Sequence, residues 1–458
     1  MKELSNIKRF YFIGIGGIGM SALARYFFSK GYEVAGYDKT PSPLTDELLR
    51  EGIQIHFEDW GKQLPTPYLD TATTVVVYTP AIPENMGELV FVKQAHQVYK
   101  RSEVLGLITQ SSKGLGVAGT HGKTTTSSML AFVLSQSHLK ASAFLGGIAS
   151  NFNSNVWIEP TSEYSVIEAD EFDRSFLRLA PYASIITAMD PDHLDIYGTK
   201  EAFEEGFQMY ADKHIGGGLI VYKCGLPLRN TGFNGLSYGI ENQDADVIGT
   251  HLTSKDGFFQ MDIQWSDKRW DSVKLGLPGI HNAENALAVA ALCNELGLSE
   301  TEIRNGLSQF KGVKRRFEYH VRSESMVYID DYAHHPTEIA ALVASVRLLY
   351  PHKKITGIFQ PHLFSRTRDF MEGFVHELGK LDQVMLLPIY PARELPIPGI
   401  TSDLIVAKIG EKAKLYSTDE IFNWAQSASD QVILTIGAGD IDRMVQRLSA
   451  LFEGKKDE

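Results

Sequence analysis

The sequence predicts an α/β protein of three domains, the middle one carrying a phosphate-binding loop and a small antiparallel sheet. Three observations support this. Short apolar runs ending in acidic or glycine tips alternate with helical stretches in the first and last thirds of the chain, the rhythm of parallel strands crossed over by helices. Polar breaks at ITQSSKG (108–114) and FKGVKRRFE (310–318) divide the 458 residues into segments 1–110, 111–313 and 314–458, close to the usual domain length. The stretch VAGTHGKTTT, Val117 to Thr126, lies where a strand runs into a helix.

The elements follow in order. FYFIGI (10–15) reads as an apolar strand, 18–29 has helical spacing, YEVAGYD (32–38) is a second strand, and TVVVYTP (74–80) is a short β-branched run. The middle segment opens with LGVAGT and continues through SAFLGG, YSVIEADE and ASIITAMD, each apolar with a polar tip. From Leu236 to Leu277 the pattern changes to short alternating runs with turn signals, which predict the antiparallel sheet. HNAENALAVAALCNELG (281–297) is a strong helix. The last segment alternates MVYIDDYA, a helix over 336–349, ITGIFQP, a helix over 366–381, QVMLLPIYP and VILTIGAGD.

Composition removes several classes. A net charge of −12 argues against non-specific nucleic-acid binding. No apolar run approaches the roughly 20 residues of a membrane helix. The N-terminus enters a strand and a glycine turn and lacks the pattern of a secretion signal, so a cytoplasmic protein is expected. The two cysteines, Cys224 and Cys293, have no metal spacing and read as incidental thiols in a reducing compartment.

The loop GTHGKTT is a shortened phosphate cradle, because Val117 stands where the longer motif has glycine. Gly119 and Gly122 bring backbone N–H groups close to phosphate oxygens. Lys123 adds a positive charge, and the Thr124 hydroxyl suits magnesium. Glu168 in VIEADEFD and His193 in MDPDHLDIYG end strands of the same segment, where ligands of parallel sheets converge, so they are candidate metal ligands beside Thr124. At the N-terminus, Gly14, Gly16, Gly17 and Gly19 form a G-x-G-x-x-G turn, and Asp38 follows at about the 20-residue distance of the dinucleotide fingerprint. Such a turn holds any diphosphate, that of a nucleotide sugar included. A chain with both turns suits a reaction between ATP and a diphosphate-bearing substrate.

GIGGIGMSALA, TPAIP, GTHGKTTT, EADEFD, DHLDIYG, GIHNAENALA, KRRFE, DDYAHHPTEI, QPHLFSRT, IYPARELPIPG and IGAGDI occur in the order expected of the Mur ligase family, which the chain resembles over nearly its whole length. The resemblance implies a Rossmann-like UDP-sugar domain over 1–110, a central ATPase domain over 111–313 and a Rossmann-like C-terminal domain over 314–458. It implies ATP and Mg2+ as cofactors, UDP-N-acetylmuramate and L-alanine as substrates, ligation through an acyl phosphate in peptidoglycan synthesis, and a monomer or homodimer as the working assembly.

Residue roles follow from the same resemblance. Gly119, Thr120, His121, Gly122, Lys123, Thr124 and Thr125 would hold ATP and, through Thr124, magnesium with Glu168 and His193. His281, Asn282, Asn285, Arg316 and Asp331 would contact the nucleotide. Thr79 and Pro80 would join the glycine turn and Asp38 on the UDP-sugar. Tyr332, His334, His335 and Arg366 would line the amino-acid site, with Lys123, Glu168, His193, His334 and Arg366 at the reacting centre. The helix cap preceding Pro336 is the plainer role for His334 and His335. Ligases for later residues of the stem carry a carbamylated, metal-holding lysine downstream of the DHLD histidine; here that position is Phe207, which agrees with the alanine-adding branch.

Three other readings compete. A recycling ligase would attach a whole tripeptide to the same sugar. A nicotinamide dehydrogenase explains Gly14 to Gly19 and Asp38 but leaves Lys123, Glu168 and His193 without work. A non-catalytic nucleotide-binding module does not call for so many sites.

Overall fold

The computed structural model describes residues 6–191, 194–214, 217–255, 258–392, 394–429 and 431–453. They form two compact units. Residues 1–251, 262–273 and 284–311 belong to the first, and 252–261, 274–283 and 312–458 to the second.

The first unit begins with a five-stranded parallel sheet in the order Gln54–His56, Glu33–Tyr37, Arg9–Ile13, Thr74–Tyr78, Gln97–Lys100. Arg9–Ile13 is central and buried beyond its first residue, which explains its unbroken apolar run. The chain builds outward on one side of this strand and then returns to its other side. The order therefore reverses next to the glycine turn, the place where open α/β sheets bind ligands. The helix Ile18–Ser29 has the bounds its spacing predicts.

A ten-stranded sheet follows, in the order Arg269–Leu275, Phe258–Gln264, Val247–Lys255, Asn234–Ile240, Leu219–Lys223, Ala183–Ile186, Lys113–Ala118, Tyr164–Glu168, Ser142–Ala149, Ser154–Trp157. The alternating run after Leu236 does not close a sheet of its own. Asn234–Ile240 pairs parallel with Leu219–Lys223, so these strands satisfy the open edge of the parallel sheet and extend it. Lys113–Ala118 lies between Ala183–Ile186 and Tyr164–Glu168, in a register that sets Val117 against Glu168. The helix Lys123–Ser135 is buried along nearly its whole length. It packs on the helix Glu300–Gln309, where a Cβ at Gly306 would stand 2.8 Å from Val133 Cγ2, so the close approach requires glycine.

The second unit carries a six-stranded sheet in the order Glu318–Arg322, Met326–Asp331, Gln431–Ile436, Lys354–Phe359, Gln383–Leu386, Ala413–Leu415. Only Glu318–Arg322 runs antiparallel to its neighbour. Apolar layers cover both faces. The helix Pro336–Leu349 matches its predicted bounds. The predicted helix over 366–381 is two helices, Phe364–Asp369 and Met371–Leu378, broken at Phe370 with φ −112° and ψ 16°. The Phe370 ring meets the edge of His335, 4.5 Å between centroids, which ties this break to the end of the preceding strand's loop.

Candidate functional site

The phosphate loop leaves the strand Lys113–Ala118. Gly119 (φ +136°) and Gly122 (φ +81°) take conformations that favour glycine. Their neighbours require it too: a Cβ would stand 2.2 Å from Thr187 Oγ1 at Gly119, and 2.9 Å from Asn285 Oδ1 at Gly122. Thr120 accepts from the Asp190 N–H at 3.1 Å, and His121 lies 3.6 Å from Asp190. Gly122 caps the following helix with no side-chain acceptor, so the N–H groups of the first turn, including those of Thr124 and Thr125, remain to meet an anion. The cradle fits a nucleotide phosphate.

Glu168 ends the neighbouring strand. Its carboxylate accepts from Thr124 Oγ1 at 3.1 Å and from the Gly146 N–H at 3.0 Å. A hydroxyl and a carboxylate converging on the loop form an oxygen donor set of the kind a hard divalent cation takes. His193 lies outside the described residues. Lys123 Nζ contacts Glu171 at 2.7 and 2.8 Å and the Gly119 carbonyl at 2.7 Å. Burial alone would favour the neutral amine, but Glu171, Asp170 and Glu168 outweigh it and hold the ammonium charged, with its pKa above the ordinary value. Glu171 was not singled out from the sequence. Phe207 packs against Phe176 and Phe203 in the core.

The glycine turn lies in the same unit. Gly14 (φ +88°) packs on Thr79, whose Cγ2 would be 2.9 Å from an added Cβ, and Pro80 follows it in the same loop. Asp38 accepts from the Gly16 N–H at 2.7 Å and from the Thr40 N–H at 3.2 Å, so it fixes the turn itself. Gly17 is the N-cap of the helix Ile18–Ser29. At Gly19 a Cβ would meet Arg101 Nη1 at 2.2 Å. A cavity of about 180 Å³ opens here, lined by Ile18, Gly19 and Arg101 on one side and by Gly146, Glu168 and Asp170 on the other. Arg101 was also missed; it directly follows the short strand Gln97–Lys100, which carries no apolar run to mark it in the sequence.

The remaining candidates lie in the second unit, save Asn285, which neighbours Gly122 as described. Burial and the charge of Arg316 push the His281 imidazole down to about 4, so it is neutral. His281 Nδ1 and Asn282 Oδ1 are buried without a hydrogen-bond partner among the described residues, which fits a polar group brought by a nucleotide. Asp331 spends both carboxylate oxygens on backbone N–H groups, Phe317 at 2.7 Å and Ala333 at 2.8 Å. Burial pushes its carboxyl up to about 7, although both donors and Arg316 pull the other way. Arg316 lies over the Tyr332 ring at 5.4 Å.

His334 Nδ1 lies 3.0 Å from the Tyr332 carbonyl, and its backbone N–H donates to Glu338 at 2.9 Å. Burial, with Arg366 and Arg316 nearby, keeps its imidazole below the usual value. His335 caps the helix Pro336–Leu349, accepting from the Thr337 N–H at 3.3 Å. His362, also missed, stands 6.1 Å from His334 between ring centroids and stacks on Tyr390.

Comparison with known proteins places the chain in a family. Three models match in succession: the Mur ligase family catalytic domain over 9–113, the Mur ligase middle domain over 117–293, and the Mur ligase glutamate ligase domain over 315–439. The UDP-N-acetylmuramate–L-alanine ligase of Phocaeicola vulgatus is 46% identical over 457 residues, 99% of this chain and 100% of that protein. The ligase of the same name from Flavobacterium psychrophilum is also 46% identical, over 99% of this chain and 100% of its own. Among solved structures, the UDP-N-acetylmuramate-alanine ligase of Thermotoga maritima superposes with a TM-score of 0.82 at 27% identity, over 98% of this chain and 100% of that one. A murein peptide ligase from Psychrobacter arcticus shares the fold, with a TM-score of 0.69 at 22% identity over 98% of this chain and 99% of its own. With domain models in the family's order along the chain and full-length relatives near half identity, the chain belongs to the Mur ligase family.

Proposed function

We infer that the chain is an ATP-dependent ligase that joins L-alanine to the lactyl carboxylate of UDP-N-acetylmuramate, releasing ADP and phosphate, as a step in peptidoglycan precursor synthesis. The observation that carries this reading is the cavity that has the helix of the glycine turn and Arg101 on one wall, and Glu168 and Asp170 on the other. A diphosphate-bearing substrate seated on the turn would extend its carboxylate toward the phosphate loop.

The chemistry needs both ends. A carboxylate is a poor electrophile because its leaving group would be oxide. A lactyl carboxylate oxygen attacks the γ-phosphorus of ATP, the bond to ADP breaks, and an acyl phosphate results. The amine of alanine then adds to the acyl carbon, the tetrahedral adduct expels phosphate, and the amine proton is lost. Lys123 would leave Glu171 to neutralise charge on the transferring phosphoryl group, and the helix N-terminus behind Gly122 would bind the phosphates. Thr124 and Glu168 would hold Mg2+, which would supply Lewis-acid charge neutralisation. His281, Asn282 and Asn285 would take the base and ribose. The neutral imidazole of His334, with Arg366 beside it, would face alanine, whose carboxylate calls for a cation. The substrates are cytoplasmic metabolites, and no helix among the described residues is long and apolar enough to cross a membrane.

The test is phosphate release from Mg-ATP with UDP-N-acetylmuramate, run in parallel with L-alanine and with the stem tripeptide. Release that requires both the sugar and L-alanine is expected. Release only with tripeptide would move the chain to the recycling branch, and silence with both from ATP-binding protein would reject the substrate assignment.

A further inference from the structure

Asn155 belongs to the strand Ser154–Trp157 at the end of the ten-stranded sheet, yet it spends its whole side chain on the helix that follows the glycine turn. Its Nδ2 donates to the Ile18 carbonyl and to Ser21 Oγ, the latter at 3.0 Å, and its Oδ1 accepts from Arg25 Nη1 at 2.8 Å. The residue is fully buried. A buried carboxamide is costly unless both ends are bonded, and here both ends are bonded to one helix. Residues 18, 21 and 25 lie on one face of that helix, within two turns of the glycines.

The hairpin that carries Asn155 also reaches the other wall of the cavity. Its first strand, Ser142–Ala149, pairs antiparallel with Ser154–Trp157, with Phe144 opposite Val156 and Ala149 opposite Ser154. From that strand the Gly146 N–H holds Glu168 at 3.0 Å, and Phe144 meets the edge of the Tyr26 ring at 5.1 Å. One hairpin thus touches the first helical turn of the glycine motif at one end and the candidate metal carboxylate at the other.

We propose that Asn155 is a positioning residue for the UDP-sugar: by pinning Ile18, Ser21 and Arg25 it fixes the diphosphate cradle at a set distance from Glu168 and the phosphate loop. The inference rests on reading the glycine turn as the UDP-sugar cradle. Asn155 touches no reacting atom. Its effect is geometric, and small displacements of a bound group are felt strongly in reactions that depend on orientation.

Asn155→Asp keeps the size and the acceptor for Arg25 but cannot donate to Ile18 and Ser21. It should weaken UDP-N-acetylmuramate binding, read by calorimetry without ATP, and raise the KM for that substrate by about tenfold or more. The KM for ATP should stay within about twofold, a split that general loss of folding would not produce. Ser21→Ala, which deletes one of the three contacts and leaves the helix intact, should give a smaller shift of the same kind and decides the matter if Asn155→Asp does not fold. Equal changes in both KM values, or unchanged sugar binding in a folded variant, overturn the proposal. Wild-type protein that fails to bind UDP-N-acetylmuramate would instead reject the reading of the cradle, and the proposal with it.

Discussion

The ammonium of Lys123 lies 2.7 and 2.8 Å from the two carboxylate oxygens of Glu171, so the lysine of the glycine-rich loop is held by a carboxylate inside the protein. Glu171 is almost fully buried, and Tyr197 Oη donates to its backbone carbonyl at 2.7 Å, which fixes the segment. On the proposed function, ATP would replace one anion with another. Glu171→Gln removes the competing charge and leaves a buried ammonium without its closest counter-ion in the empty protein. The variant should melt at lower temperature than wild type without nucleotide. It should also gain more from a saturating non-hydrolysable ATP analogue, because the analogue restores the missing charge. Melting curves with and without the analogue decide this; a gain no larger than that of wild type counts against it. In the same assay series, Lys123→Ala should lower turnover by at least about 10²-fold and leave UDP-sugar binding intact.

Glu168 is held from two sides, by Thr124 and by the Gly146 N–H. Removing its carboxylate should raise the magnesium concentration needed for half-maximal activity by about 10- to 100-fold. Gly146→Ala tests the same geometry while leaving Glu168 itself in the sequence, because its Cβ would stand 2.2 Å from Glu168 Oε2 and displace the carboxylate. Both variants should respond to added magnesium. A Glu168→Ala enzyme with an unchanged magnesium curve would remove Glu168 from the metal site.

The phosphate loop, the glycine turn and the strand-end acid Glu168 were legible because each is local: a strand, a turn and a helix start within a dozen or so residues. The helices 18–29 and 336–349 were legible for the same reason, as capped or glycine-led apolar periodicity. Glu171 and Arg101 were not. Their importance comes from what lies across space from them, Lys123 in one case and Gly19 in the other, and nothing in the local pattern marks either as more than a surface charge. The break at Phe370 was invisible too, since the composition on both sides is helical and the interruption is set by contact with His335. The strands after Leu236 were read correctly as strands, but only tertiary pairing with Leu219–Lys223 shows that they prolong an existing sheet.

Gly19 and Arg101 form a matched pair in which the absent side chain makes room for the guanidinium. Gly19→Ala would place a Cβ 2.2 Å from Arg101 Nη1 and 3.0 Å from its Cδ, forcing the arginine out of the cavity. Arg101→Ala should weaken UDP-N-acetylmuramate binding by about tenfold or more, the usual effect of losing a charge-assisted contact to an anionic ligand. Gly19→Ala should approach that value, and the ATP affinity of both variants should match wild type. Calorimetric titration with each ligand separates the outcomes; a parallel loss of ATP affinity would show that Arg101 acts on the central site as a whole.

Asp331 gives the second unit a pH dependence whose sign can be fixed. Burial raises its carboxyl from an ordinary 3.8 to about 7. Between those values the folded protein keeps a proton that the unfolded chain has released. Rising pH therefore favours unfolding across that window, by up to about 1.4 kcal/mol per pH unit from this group. Below about 3.8 both states are protonated, and above about 7 both are ionised, so the slope vanishes on either side. Asp331→Asn is neutral throughout and carries no such slope, although its amide turns one N–H toward the backbone donors of Phe317 or Ala333 and costs about 1–3 kcal/mol. The wild type should thus exceed the variant in Tm by more at about pH 5 than at about pH 8. A difference that does not change with pH would mean that Asp331 is ionised in the folded state across the range, with its two N–H donors and Arg316 overcoming burial.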